Sequence, residues 1–153
     1  MHTYPDPFHE AKQALKSVVR EYTEINSLTV GTAYIGQHAC ELAVRGLWHI
    51  AVGTPFPYAD ASAHSPNRWV TDLGVRGYYS PETQTFLYTL TGYGLHEARY
   101  GQGQAYVDHV KPTAQGRAKI IVEGVSRMLL ETEALAQRPD ILEVISRHQD
   151  ELR

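Results

Sequence analysis

The residues from 35 to 52 constrain the fold of this chain more than any other stretch. Their apolar and small side chains recur at three- and four-residue steps, the spacing that places side chains along one side of an α-helix. The residues of this row are Ile35, Ala39, Leu42, Ala43, Gly46, Leu47 and Ile50. We therefore predict a helix with this face buried, and the small residues within it predict that a neighbouring helix packs closely against it.

A second, polar row runs along the same predicted helix. It consists of His38, Glu41, Arg45 and His49, at spacings that stack side chains along one ridge. Arginine can hold an anion and histidine can exchange a proton near neutral pH, so the row is a candidate phosphate-binding and acid-base site. The alternative is that Glu41 and Arg45 only form an ion pair on a solvated or dimer-facing edge.

Three pairs of a capping residue and a proline indicate where further helices begin: Asp6-Pro7, Ser65-Pro66 and Ser80-Pro81. In each pair the first side chain can accept a hydrogen bond from the first turn, and proline suits the first helical position. We predict that these helices run to about residue 26, to just before Gly74, and to Arg99-Tyr100.

Apolar residues between positions 118 and 136 form the longest apolar stripe of the sequence and predict a helix, which Pro139 ends. Beyond this proline, Asp140 and Glu143 have the spacing of a capping box. They predict a short C-terminal helix over residues 140–152.

No segment of useful length has the two-residue period of a strand, and the proline-containing stretch 54–66 is predicted to be a loop. The predicted fold class is therefore all-α: an up-down bundle of four to five long helices plus short helices. A chain of 153 residues fits one domain, which we assign to residues 1–153 with a core over 7–137.

Charge and cysteine content exclude several classes of protein. The formal net charge is −3 and the basic residues are scattered, so we do not expect binding to a DNA duplex. Cys40 is the only cysteine, which leaves no disulfide within the chain and favours a reducing compartment. No run of 18 apolar residues occurs, so we predict no membrane span and a cytoplasmic protein.

Three stretches carry a family likeness when they are taken in order. Residues 37–52 form an alanine-rich segment that ends near Leu47-Trp48, residues 64–73 follow a proline-containing loop, and residues 97–101 read Glu-Ala-Arg-Tyr-Gly. Together they resemble the HEPN family, the small all-helical domain named for nucleotide binding in higher eukaryotes and prokaryotes. The likeness covers about residues 7 to 137.

The resemblance implies a homodimer that engages a nucleotide, an RNA or a partner nucleotidyltransferase, often in a toxin-antitoxin module. Arg99 and Tyr100 match the end of the family's fourth helix and are predicted to bind phosphate or stack on a base. The alternative is that Arg99 only satisfies the last carbonyl groups of its helix. With His64, and with Glu41 and Arg45 of the polar row, they form the predicted ligand-binding set.

Catalytic members of this family are metal-independent ribonucleases, with an arginine followed by four to six residues and then a histidine. Arg45 and His49 are separated by three residues, and Arg99 and His109 by nine, so neither pair fits. We therefore predict a non-catalytic binding module. A ribonuclease with a displaced pair, using Arg45, His49 or His109, is the alternative.

The chain contains eight histidines, which raises a third possibility, a helical bundle that binds a metal through His38, His49, His96 and His109. The sequence contains neither a histidine pair four residues apart nor a glutamate three residues before a histidine. Because these are the local signatures of zinc peptidases and di-iron bundles, we predict no metal and no cofactor.

Overall fold

A computed structural model describes residues 6–53, 56, 65–90 and 116–149. Within them the chain forms six α-helices and one short 3-10 helix, and no β-strand. The α-helices are α1 (Pro7–Ile25), α2 (Val30–Val52), α3 (Pro66–Asp72), α4 (Pro81–Leu90), α5 (Arg117–Ala136) and α6 (Pro139–His148), and the 3-10 helix is Arg76–Tyr78. The predicted all-α bundle is confirmed.

Helix α2 is the centre of the bundle and packs against α1, α3, α5 and α6. Two of its glycines permit this packing. A β-carbon at Gly36 would lie 3.3 Å from side-chain atoms of Ile121 and Val125 in α5, and one at Gly46 would lie 2.7 Å from the Phe8 ring in α1. The predicted close approach at small residues is therefore confirmed, because any larger side chain would push these helices apart.

Helix α2 begins at Val30, earlier than the periodic row that starts at Ile35 suggests. Its N-cap is Thr29, whose hydroxyl oxygen accepts a hydrogen bond from the amide of Thr32. The Thr29 amide donates to the Glu21 carboxylate of α1 at 2.9 Å, which ties the start of α2 to the preceding helix. The cap and this contact between helices, rather than the apolar period, set the start of α2.

The buried arc of α2 is rotated relative to the predicted apolar row. Ile35 and Ile50 belong to that row, yet they are 36% and 49% exposed. Glu41, assigned to the polar row, is only 1% exposed, and Trp48 is also buried. The prediction missed this rotation because alanine and glycine contribute little to the hydrophobic pattern of a sequence. The neighbouring helices on several sides of α2 determine which of its side chains are buried.

The three predicted caps are all present. The side-chain oxygens of Asp6, Ser65 and Ser80 accept hydrogen bonds from first-turn amides at 3.0, 3.2 and 3.2 Å. Each is followed by a proline that opens the helix. Sequence-local capping rules therefore predict these helix starts correctly.

The capping box predicted at Asp140 and Glu143 is wrong. Helix α6 begins at Pro139 itself, with Arg138 as N-cap and no side-chain cap bond. Asp140 therefore lies inside the first turn, where its carboxylate pairs with the Arg138 guanidinium at 2.8 Å. Glu143 binds Arg147 one turn later.

The long row in α5 is confirmed, with Ile121, Val125 and Met128 buried against the rest of the bundle. Gly124 on the same helix faces the Phe86 ring of α4, and a β-carbon there would overlap that ring. None of the helices that the structure describes is both long enough and apolar enough to span a bilayer.

Candidate functional site

The candidate site lies along α2, and its Arg45 end faces Phe56 and α3. We call it the α2 edge and define it as His38, Glu41, Arg45, Phe56 and Trp69. Helix α2 carries the first three residues, and the serine-capped helix α3 carries Trp69. The site thus combines two separately capped helices with Phe56 from the segment between them.

Arg45 is held against two aromatic rings. Its guanidinium carbon lies 5.6 Å from the centroid of the Phe56 ring and 5.6 Å from that of Trp69. The two rings also contact each other, with centroids 4.8 Å apart. Such cation–π contacts restrict the guanidinium to a small range of orientations.

Arg45 has no polar partner in the described part of the chain. The N–H donors of a guanidinium lie in its plane as a rigid fork. Across the ranges 6–53, 65–90 and 116–149 and Phe56, no residue forms a hydrogen bond or ion pair with Arg45. An oriented guanidinium with unused donors is suited to bidentate binding of phosphate or carboxylate.

Both tryptophans of the chain, Trp48 and Trp69, contact the Phe56 ring. Trp69 lies within cation–π range of Arg45, and Trp48 meets Phe56 edge-on with ring centroids 5.9 Å apart. Intrinsic tryptophan fluorescence therefore reports on the α2 edge.

His38 and Glu41 form a second arrangement on the same helix. The Nδ1 atom of His38 lies 3.2 Å from Oε2 of Glu41, a carboxylate that is almost completely buried. The imidazole is 38% exposed, and its ring stacks on Tyr34 with a 15° angle between the planes. A carboxylate at Nδ1 favours the tautomer in which Nδ1–H donates and Nε2 keeps its lone pair.

The polar row predicted from the sequence is therefore not one continuous ridge. Glu41 binds His38, and the alternative, an ion pair between Glu41 and Arg45 on a solvated or dimer-facing edge, does not form between these two described side chains. His49, one turn beyond Arg45, is exposed. A direct contact of Glu41 with a ligand stays a prediction, as does catalysis by Arg45 and His49.

Four predicted site residues, His64, Arg99, Tyr100 and His109, lie outside the described residues. Their assigned roles stay predictions. The second half of the helix predicted to end at Arg99-Tyr100 also lies outside them, since the described part of α4 ends at Leu90.

The described part of the chain contains no group of three or more histidine, cysteine, aspartate or glutamate side chains that could hold a metal ion. His96 and His109, two of the histidines considered for such a site, lie outside it. Cys40 is buried, and burial raises the pKa of its thiol, so the thiolate needed for nucleophilic chemistry is disfavoured.

A second polar cluster, which no sequence pattern predicted, lies where α4 meets α5. We call it the α4–α5 cluster and define it as Tyr79, Ser80, Thr83, Glu131 and Thr132. The Glu131 carboxylate accepts hydrogen bonds from the amide and hydroxyl of Ser80, at 2.6 and 3.1 Å, and from the Thr83 hydroxyl. The capping role of Ser80 was predicted from the sequence. Its hydrogen bond to Glu131 was not, because Glu131 lies 51 residues away in the chain.

Tyr79 and Thr132 complete this cluster. The Thr132 hydroxyl donates to the Met128 carbonyl at 2.7 Å, so at 2.8 Å it accepts the hydroxyl hydrogen of Tyr79. Burial raises the pKa of Tyr79, which keeps its hydroxyl protonated and able to donate. The whole cluster fastens the N-terminus of α4 to α5.

Comparison with known proteins gives no relative: no family model, no curated protein and no solved structure matches this chain.

Proposed function

We propose that this chain is a non-catalytic, HEPN-like binding module that holds the phosphate of a nucleotide or an RNA at Arg45. The observation that carries the proposal is the Arg45 guanidinium, which lies within cation–π range of Phe56 and Trp69 and forms no hydrogen bond or ion pair with any residue of the described ranges. Such a group can form two parallel hydrogen bonds to a phosphate.

The aromatic rings also favour binding energetically. A hydrogen bond to a charged group contributes about 1.5–3 kcal/mol. Because the rings already restrict Arg45, less side-chain entropy is lost when a ligand is bound. The guanidinium plane is in addition a surface on which a nucleobase can stack.

The wider parts of the proposal follow from the family resemblance. They are a homodimer, a partner nucleotidyltransferase in a toxin-antitoxin-like module, and a place in the cytoplasm. The all-α bundle and the single buried cysteine agree with this assignment. A solution mass twice that of the 17.2 kDa chain supports the dimer, and a monomeric mass contradicts it.

The binding proposal is tested by titrating the protein with AMP, ATP and a short single-stranded RNA while tryptophan fluorescence is recorded. We expect saturable binding that weakens about tenfold to a hundredfold in Arg45→Ala, as one charge-assisted contact is lost. Arg20→Ala is the matched control, because Arg20 is an exposed arginine on α1. Its affinity should stay within about twofold of the native value, since an isolated surface charge contributes little.

Equal affinities of the native protein and Arg45→Ala would contradict the proposal. The same RNA, analysed on a gel without added metal, tests the alternative enzyme. Cleavage that is lost in His49→Ala would favour a ribonuclease with a displaced pair, and intact RNA supports a module without catalysis.

A further inference from the structure

A buried carboxylate hydrogen-bonded to a partly exposed histidine is an arrangement used in proton transfer and nucleophilic catalysis. In this chain the pair is Glu41 and His38. Their hydrogen bond, the burial of Glu41 and the partial exposure of His38 are independent of the proposed ligand site at Arg45.

We infer that His38 is a phosphoryl-acceptor site, at which Nε2 takes a phosphoryl group from an acyl phosphate. Three observations support this inference. The hydrogen bond to Glu41 places the imidazole proton on Nδ1, which leaves the nucleophilic lone pair on Nε2. The side chain is 38% exposed, so a donor can reach it. The Tyr34 ring stacks on the imidazole and restricts its rotation.

The chemistry is balanced without a further reactant. The Nε2 lone pair forms a bond to phosphorus while the bond between phosphorus and the acyl oxygen breaks. The electron pair of that bond leaves with the carboxylate product. The proton on Nδ1 stays in place, so the product is a phosphoimidazolium cation.

Glu41 has a defined part in this step, as a positioning residue. Its carboxylate accepts the Nδ1 proton in the hydrogen bond and carries the negative charge next to the cation that forms. Because Glu41 is 1% exposed, water screens this interaction very little. The pair therefore stabilises the phosphorylated histidine as well as orienting it.

A phosphoryl group suits this site better than an acyl group. An acyl-imidazole hydrolyses rapidly in water, whereas a phosphohistidine persists long enough at neutral pH to be passed on.

The test uses the full chain and acetyl phosphate. Intact-mass spectrometry should show one added phosphoryl group that is lost in acid and retained in alkali, and peptide mapping should place it on His38. The group should be absent in His38→Ala and retained in His9→Ala, a control at an exposed histidine of α1. No such group on the native protein, or the same group on His38→Ala, would overturn the inference.

The variant Glu41→Gln tests whether the charge of Glu41 matters apart from its packing. Glutamine has nearly the same shape and keeps an acceptor oxygen, but it removes the negative charge. We expect phosphorylation to slow about tenfold or more, as for other partners that orient a histidine. A second measurement needs no variant: nitrogen NMR of the native protein should show the His38 tautomer with the proton on Nδ1. A proton on Nε2 would overturn the inference even if Glu41→Gln failed to fold.

Discussion

The α2 edge and the α4–α5 cluster both bring polar side chains together at helix contacts, but they differ in how their donors are used. In the α4–α5 cluster the carboxylate of Glu131 accepts three hydrogen bonds, and the hydroxyls of Tyr79 and Thr132 are donors to protein acceptors. At the α2 edge the Arg45 guanidinium lies within cation–π range of two rings and uses none of its N–H donors within the described ranges.

This difference separates a structural polar cluster from a candidate binding site. Donors and acceptors that satisfy one another inside the protein contribute to stability and have little capacity left for a ligand. An oriented donor group without a protein partner contributes less to stability and can bind a ligand. Substitutions in the α4–α5 cluster should therefore lower the free energy of unfolding, and substitutions of Arg45 should weaken ligand binding.

The largest loss of stability is expected from Glu131→Ala. This variant removes the acceptor of the Ser80 amide and of the Thr83 hydroxyl, and Thr83 is fully buried. We expect the free energy of unfolding to fall by about 2–4 kcal/mol, measured by urea denaturation. Glu133→Ala is the control on the same helix, since Glu133 forms only a surface ion pair with Lys12, worth less than about 1 kcal/mol. Equal losses in the two variants would show that the cluster is not structural.

Tyr79→Phe should have an intermediate effect. It removes one hydrogen bond to Thr132, which still donates to the Met128 carbonyl, so the loss should be about 1 kcal/mol at neutral pH.

The dependence of the unfolding free energy on pH gives a second test of Tyr79. Burial raises the pKa of Tyr79 in the folded protein. The unfolded tyrosine titrates near pH 10, so stability from this group is complete below about pH 10 and declines above it. Urea midpoints measured from pH 8 upward should fall less steeply in Tyr79→Phe than in the native protein. Identical slopes would mean that Tyr79 is not kept protonated by the fold.

The smallest effect on stability is expected from Arg45→Lys. Lysine keeps the charge and can still contact Phe56 and Trp69, so the unfolding free energy should change by less than about 1 kcal/mol. Phosphate binding should nevertheless weaken, because lysine cannot form the planar pair of hydrogen bonds. If Arg45→Lys lost as much stability as Glu131→Ala, the distinction between a structural α4–α5 cluster and a ligand-binding α2 edge would be wrong.

Local signals predicted much of the fold. A capping side chain next to a proline acts within a few residues, and all three predicted starts at Asp6, Ser65 and Ser80 were correct. The prediction failed at Asp140, where the same kind of signal competed with a proline already inside the helix.

The candidate site was predicted only in part. Helix α2 and Arg45 were identified from spacing, but the rings beside Arg45 were not, because Phe56 lies in the stretch predicted to be a loop and Trp69 in the short helix predicted before Gly74. Ring contacts between segments distant in sequence depend on how α3 packs on α2. No local pattern encodes that packing.

The sequence by itself determined that the chain forms helices, where several of them begin, and that α2 bears the polar residues of interest. The reason is that periodicity, proline and capping act between neighbours in the chain. Only the tertiary structure decided that Glu41 is buried against His38, while Arg45 lies beside two rings and forms no hydrogen bond within the described residues. Burial and stacking depend on which helices surround α2, and that arrangement is set by packing of the whole bundle.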